Sequence, residues 1–405
     1  MSDTILLLGA SQDQLAAIHT AKRMGIRTLV VDRQPDAPGF ALADEAAAIC
    51  TKDTASLKAL CDTSRARGYP VDGVLVMGSD IPQVVAELAE YLGVIGPTRE
   101  TARLATHKRL MKECFAANGI PIPWFKKAES AAQVHEFFHA LGRPLVIKPV
   151  DRAGSRGVAR ITTAAHIDQL FAEAEKQSLC GEVLVEEYLE GLQISTETLV
   201  WKGKGHTVGF ADRNYEMLER FAPRILENGG AVPSSVSPAQ RRAVESIVER
   251  AAMALGITDG VAKGDIVLTA EGPKVIEMAA RLSGGDFSET LIPLGCGVDI
   301  IEAAISIAIG RPLDISTLKP CWSRAVINRY FFPPPGRLRA ISGIEEVAAK
   351  DFIRKLQFWY KPGDLLPEIS SHGERFGVFI VEAESVAQAE QYASWVYSTI
   401  KIVKE

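Results

Sequence analysis

The six cysteines (Cys50, Cys61, Cys114, Cys180, Cys296 and Cys321) are scattered without a CxxC pair. This excludes a disulfide framework or a cysteine-based zinc site and suits a reduced chain. Basic charge is not in excess. Against 45 Lys and Arg stand 50 Asp and Glu, a formal charge of −5, which argues against a general nucleic-acid or membrane-surface binder. Long apolar runs are missing too. The opening MSDTILLLGAS has an acid at position 3 and too short an apolar run for a signal peptide. GVDIIEAAISIAIG is interrupted by Asp299 and Glu302 and falls short of a membrane span. The expectation is a soluble, cytoplasmic protein with no nucleic-acid or membrane partner. The GxGxxG fingerprint is also absent, which weighs against a dehydrogenase, and there is no internal repeat or low-complexity tract.

What is present is a chain of 405 residues, 47% hydrophobic, long enough for two or three cores. The first hundred residues alternate strand runs (TILLLGA, RTLVVDR, DGVLVMGSD) with helical stretches (SQDQLAAIHTAKRMG, IPQVVAELAEYLG). Such alternation predicts a doubly wound parallel sheet. Gly9 and Ser11 mark its first strand-to-helix turn, where they either allow a tight turn or touch a ligand. Pro97 breaks the pattern, and one helix is predicted through ETARLATHKRLMKECFAAN up to Gly119. Short strands and helices follow to about residue 200, then an irregular span, the helix SPAQRRAVESIVERAAMALG and two strands. YFFPPPGRL opens a last mixed segment. The fold class is α/β and α+β multidomain. It divides into a parallel-sheet domain at 1–97, a central domain at 98–318 with a subdomain near 120–200, and a C-terminal mixed α/β lobe at 319–405.

GVAKGDIVLTAEGPKVIEMAARLSGG reads as a hairpin with Glu271 and Gly272 in its turn. Asp265 and Glu277 lie six residues either side of Glu271, so antiparallel strands bring them together if both face one side. Facing carboxylates repel unless a cation lies between them, and magnesium takes one or two carboxylates plus phosphates. The alternative is that one points to solvent or pairs with Lys263. Arg281 and the Ser283, Gly284, Gly285 turn follow. They offer either a guanidinium fork and close backbone approach to an anion or a structural Glu–Arg pair with a loop behind it.

In RPLVIKPVDRAGSRGV a strand ends at Lys148 and a loop with Gly154, Ser155, Arg156 and Gly157 follows. Its N–H groups and the Ser155 hydroxyl can bind phosphoryl oxygens. Lys108 lies on a helix, ordinarily a solvated position. GEVLVEEYLEG is a strand running into Glu186, Glu187, Tyr188 and Leu189, able to present backbone groups to an adenine edge.

In this order these pieces resemble the ATP-grasp superfamily over about residues 98–310. The flanking lobes resemble those of the biotin carboxylase-like ligases. ADR, VPS and YFFPPPGRL have loose counterparts in the L-amino acid ligase branch. The resemblance implies ATP and Mg2+ (with Mn2+ as an alternative) as cofactors. Lys108 and Lys148 would contact phosphates, Gly154–Gly157 would form a lid over them, and Glu186–Leu189 would take adenine. Gln193 would take the ribose, where the family commonly has glutamate. Asp265 and Glu277 would be the metal ligands, and Arg281 the catalytic arginine. Two departures stand out. Lys263 replaces a common histidine, and Ala279 replaces a metal-holding asparagine, which puts a second magnesium in question. Glu197, Arg213, Ser283, Gly284 and Gly285 are expected on the substrate side, although Arg213 serves equally as an ion pair.

The implied reaction converts a carboxylate to an acyl phosphate and joins it to an amine, releasing ADP and phosphate. Small-molecule acids and amines are the expected partners, and a homodimer is an open expectation. Rival readings are a purine-pathway type carboxylase or formyl transferase, and a nucleotide-binding protein that has lost its ligase chemistry.

Overall fold

A computed structural model describes residues 2–405. The N-terminal sheet is parallel, in the spatial order Glu45–Ala48, Arg27–Asp32, Thr4–Leu8, Gly73–Val76. Thr4–Leu8 is buried throughout, as expected of an apolar run covered on both faces. The strand order reverses between Thr4–Leu8 and Gly73–Val76, so the loops after these two strands open on the crevice where α/β sheets take ligands. Gln14 Nε2 donates to Met77 O at 2.8 Å and ties the two loops together.

The helix expected across Glu100–Asn118 is two helices, Arg99–Thr106 and Lys108–Ala117. His107 between them is extended (φ −105°, ψ 99°), and its ring accepts the Leu110 N–H as an N-cap. The apolar positions keep one period across the break, which is why the sequence pattern hides it. The break places Lys108 at a helix start, with its N–H on Val150 O at 2.8 Å.

The span near 120–200 folds as an antiparallel sheet ordered Phe125–Ala128, Val183–Glu187, Leu145–Pro149, Ala159–Ile161. Helices Ala131–Leu141 and Ile167–Gln177 pack on it around Val134, Leu145, Ile147 and Phe171.

The largest sheet has eight antiparallel strands. From one edge they are Gly272–Ala279, Gly260–Thr269, Leu192–Trp201, Lys204–Arg213, Gly230–Val232, Ala325–Phe331, Gly377–Ala383 and Ile353–Phe358. The sheet therefore runs on into the C-terminal lobe. Helix Pro238–Ala254, opened by a Ser237–Gln240 capping box, covers one face. Helix Ile300–Ala308 lies between this sheet and the N-terminal one, and a single apolar cluster from Ile5 to Ile380 joins them. Gly336–Ser342, Leu365–Leu366 and Lys401–Lys404 form a small further sheet. Among the described residues no helix is long and apolar enough to cross a membrane.

Candidate active site

The four-stranded antiparallel sheet, the eight-stranded sheet, the N-terminal crevice and the C-terminal lobe meet around one cleft of about 640 Å³. Lys108, Lys148, Gly154, Ser155, Arg156, Glu186, Glu187, Tyr188, Leu189, Gln193, Arg213, Asp265, Glu277, Arg281, Ser283, Gly284 and Gly285 all line it. Two of the expected residues do not. Gly157 sits behind the loop, where a Cβ would meet the Gln177 side chain at 3.0 Å. Glu197 is fully buried beneath the Ser283 turn.

At one end stand the lysines. Lys148 Nζ donates to Glu186 Oε2 at 2.8 Å, and Lys112, fully buried, lies 3.4 Å from Glu186 Oε1. Burial pulls the Lys112 pKa down to about 8 despite Glu186. Burial would raise Glu186, but Lys112 and Lys148 hold it below its ordinary value. The Glu186 side chain is therefore a buried counter-ion that fixes Lys148. Lys108 Nζ donates to Arg152 O at 2.6 Å and lies 3.4 Å from Glu277 Oε2.

The glycine loop has left-handed residues at Gly154, Ser155 and Gly157 (φ 69°, 59° and 68°). For Ser155 this costs roughly 1 kcal/mol. Such turns aim successive N–H groups at an anion. The loop is docked on the C-terminal lobe. His372 N–H donates to Gly154 O at 3.0 Å, and its Nε2 faces Ser155 Oγ at 3.2 Å and accepts the Glu227 N–H at 3.4 Å. Burial, then the charge of Arg375, hold His372 well below its ordinary pKa, so the ring is neutral.

Beyond the lysines, Val146, Val158, Val267 and Ile276 give the cleft apolar walls suited to a flat ring. Tyr188 and Leu189 border them, but Glu187 is committed to Trp124 N (3.1 Å), Arg143 (2.7 Å) and Lys274 (3.7 Å).

The hairpin brings Asp265 and Glu277 into direct register. The turn is one residue earlier than expected, with Thr269 opposite Gly272, so regular pairing would set Asp265 against Ile276. A bulge at Ile276 restores Glu277 to that place and leaves Ile276 and Glu277, consecutive residues, both lining the cleft. Asp265 pairs with Lys263, lies 2.9 Å from Arg213 Nη1 in a second ion pair, and accepts from Ser195 Oγ at 3.1 Å. Burial would raise Glu277, but Lys108 and Lys263 hold it far below the usual carboxylate range. Arg213 also pairs with Glu227, whose burial is outweighed by Arg213 and Arg375, bringing it to about 2. Among the described residues no three His, Cys, Asp or Glu could enclose a metal ion. Two facing carboxylates do suit a hard ion that arrives with phosphate oxygens.

Arg281 Nη1 donates to Leu282 O at 3.0 Å. Glu197 accepts from Ser283 N and Ser288 Oγ, both at 2.9 Å, and so shapes the turn from below. Burial raises its pKa. Gly284 rests against Gly78, where a Cβ would come within 3.0 Å of the Gly78 Cα.

Sequence reasoning missed Asp80, Lys112, Glu227, His372 and Arg375. Asp80 carried a signal, since it follows a strand at the crevice. Arg375 stacks on the Tyr330 ring at 3.7 Å inside the cleft, and nothing local in the sequence marks either residue.

Residues 105–285 match the family model of the ATP-grasp domain, and residues 329–405 match that of L-amino acid ligase C-terminal domain 2. The chain is 25% identical to uncharacterized protein y4rH of Sinorhizobium fredii, over 95% of this chain and 80% of that one. It is 25% identical to the L-arginine-specific L-amino acid ligase of Bacillus subtilis, over 70% of this chain and 68% of that one. The solved structure of L-amino acid ligase from Bacillus licheniformis shares its fold, with a TM-score of 0.85 at 20% identity, covering 100% of this chain and 99% of that one.

Proposed function

Because residues 105–285 are an ATP-grasp domain, we propose that the chain is an ATP-dependent ligase that activates a carboxylate as an acyl phosphate and joins it to an amine. The observation that carries this is the meeting of Asp265 and Glu277 in register, with Lys108 3.4 Å from Glu277, in the cleft that the glycine loop and Lys148 also line. The 1–97, 98–318 and 319–405 divisions then assign the crevice, the nucleotide cleft and the lobe that docks the lid.

A carboxylate is a poor electrophile because its leaving group would be oxide. Its oxygen attacks the γ-phosphorus of ATP, the bond to the β-phosphate oxygen breaks, and ADP departs. The amine then attacks the acyl carbon, phosphate leaves, and the amine gives up a proton. Lys148, Lys108 and the loop N–H groups hold the phosphates, and Arg281 neutralises the moving phosphoryl group. Mg2+ or Mn2+ held on Glu277, beside Asp265, would supply further charge neutralisation. The docked loop keeps water from the acyl phosphate. A lysine ahead of the glycines, rather than after them, stays fixed on its strand while the loop moves.

The test is phosphate release with ATP and Mg2+ over pools of amino acids, sugar acids, bicarbonate and formate, with product masses read in parallel. Release that needs an acid and an amine together, with a condensed product, supports the proposal. Release with bicarbonate or formate supports the purine-pathway reading, and tight nucleotide binding without stimulated release supports lost chemistry.

A further inference from the structure

Lys263 and Ala279 are cross-strand partners, as are Asp265 and Glu277 two residues along each strand. The four side chains therefore share one face. Two facing carboxylates beneath a triphosphate have room for two divalent ions. The donors on this face count otherwise. Asp265 Oδ2 is taken by Lys263, and its Oδ1 is ion-paired with Arg213 and accepts from Ser195. Both cations are anchored: Arg213 is held by Glu227 as well, and Lys263 stands on Asp265's own strand. Among the described residues only Lys108 pairs with Glu277. Ala279, opposite the ammonium, brings no oxygen.

Resting on the ATP-dependent reading above, we propose that the Lys263 ammonium is a built-in cation standing in for a second divalent ion. The nucleotide then binds with one ion, on Glu277, and Asp265 serves to orient Lys263 and Arg213. An ion forcing its way onto Asp265 would leave two cations at close range with their shared carboxylate lost, which like-charge repulsion opposes. A tethered ammonium also needs no dehydration step and is present at any metal concentration.

The test counts metal directly. The full chain is titrated with Mn2+ in the presence of saturating β,γ-imido-ATP, with free Mn2+ read by electron paramagnetic resonance. One bound Mn2+ per bound analogue is the expected result, and two overturn the proposal. A Lys263→Met, Ala279→Asn double variant, checked for an unchanged circular dichroism spectrum, removes the ammonium and adds an oxygen donor. It should bind two ions. A count that stays at one shows that Lys263 is not the occupant and also overturns the proposal. Failure of the wild-type chain to bind the analogue at all defeats the ATP-dependent reading itself, an outcome distinct from a count of two.

Discussion

Arg281 Nε donates to Asp80 Oδ1 at 2.6 Å, joining the Ser283 turn of the cleft to the N-terminal crevice across 201 residues of chain. Asp80 acts through Arg281 and positions it. Asp80→Ala should lower kcat by about 10- to 100-fold, or about 1.4 to 2.7 kcal/mol of transition-state stabilisation, while the β,γ-imido-ATP dissociation constant stays within about twofold. Steady-state phosphate release and calorimetric titration separate the two. An equal loss in both would show that Asp80 supports nucleotide binding instead.

Glu277→Gln keeps the shape and removes the charge. Turnover should fall by at least about 10³-fold, on the scale of losing a principal electrostatic contact in the transition state. The thermal midpoint should move by no more than about 4 °C, the upper end of what about 1 kcal/mol gives in a chain of about 150 to 250 residues and more than it gives in a longer one. Full activity in this variant would remove the carboxylate from the ion's coordination.

Lys112→Met leaves Glu186 fully buried with Lys148 as its remaining cation. Breaking a buried pair on one side costs about 3 to 5 kcal/mol. Urea unfolding should show a loss of that size, and nucleotide affinity should fall with it because Glu186 then pulls harder on Lys148. An unchanged midpoint would mean that Glu186 takes up a proton at no cost.

The lid latch should respond to acid. His372 faces Ser155 and Glu227, with Arg375, Arg213 and Lys263 as the further charges around it. Its folded pKa lies well below the unfolded value near 6.5, so below that pH the unfolded or undocked state binds more protons. Stability at the latch is therefore full above pH 6.5 and declines as pH falls. Amide exchange of residues 152–158 should accelerate between pH 6.5 and 5, after correction for the intrinsic rate, and His372→Ala should abolish that dependence.

Much of this cleft was legible in the sequence because its parts are local. A lysine ending an apolar strand, a glycine loop, and two acids on the arms of one hairpin are patterns in short windows, whereas the Ile276 bulge that aligns the acids is not. The break at His107 was not legible because Arg99–Thr106 and Lys108–Ala117 keep one apolar period. Nothing local sets Lys112 apart, yet it is the counter-charge of a glutamate 74 residues later, and only tertiary packing decides that a helix face is buried. His372 reaches Ser155 across 217 residues, and no local composition records such a partner. The strand pattern at Glu186 and Glu187 speaks for their backbone groups alone; that their side chains are buried in ion pairs follows only from tertiary packing.

The extra residue at Ile276 works as a ruler. Because it and Glu277 are neighbours in the chain, the apolar wall and the carboxylate are held one peptide apart, about 3.8 Å between Cα atoms. A ring resting on the first fixes how far its phosphate tail must run to reach the second. Deleting Ile276 would remove the bulge and set Glu277 directly after Val275, still opposite Asp265 on the cleft face but without the apolar wall beside it. The reach of the site is thus set by counting residues, and no change of side chain elsewhere can reset it.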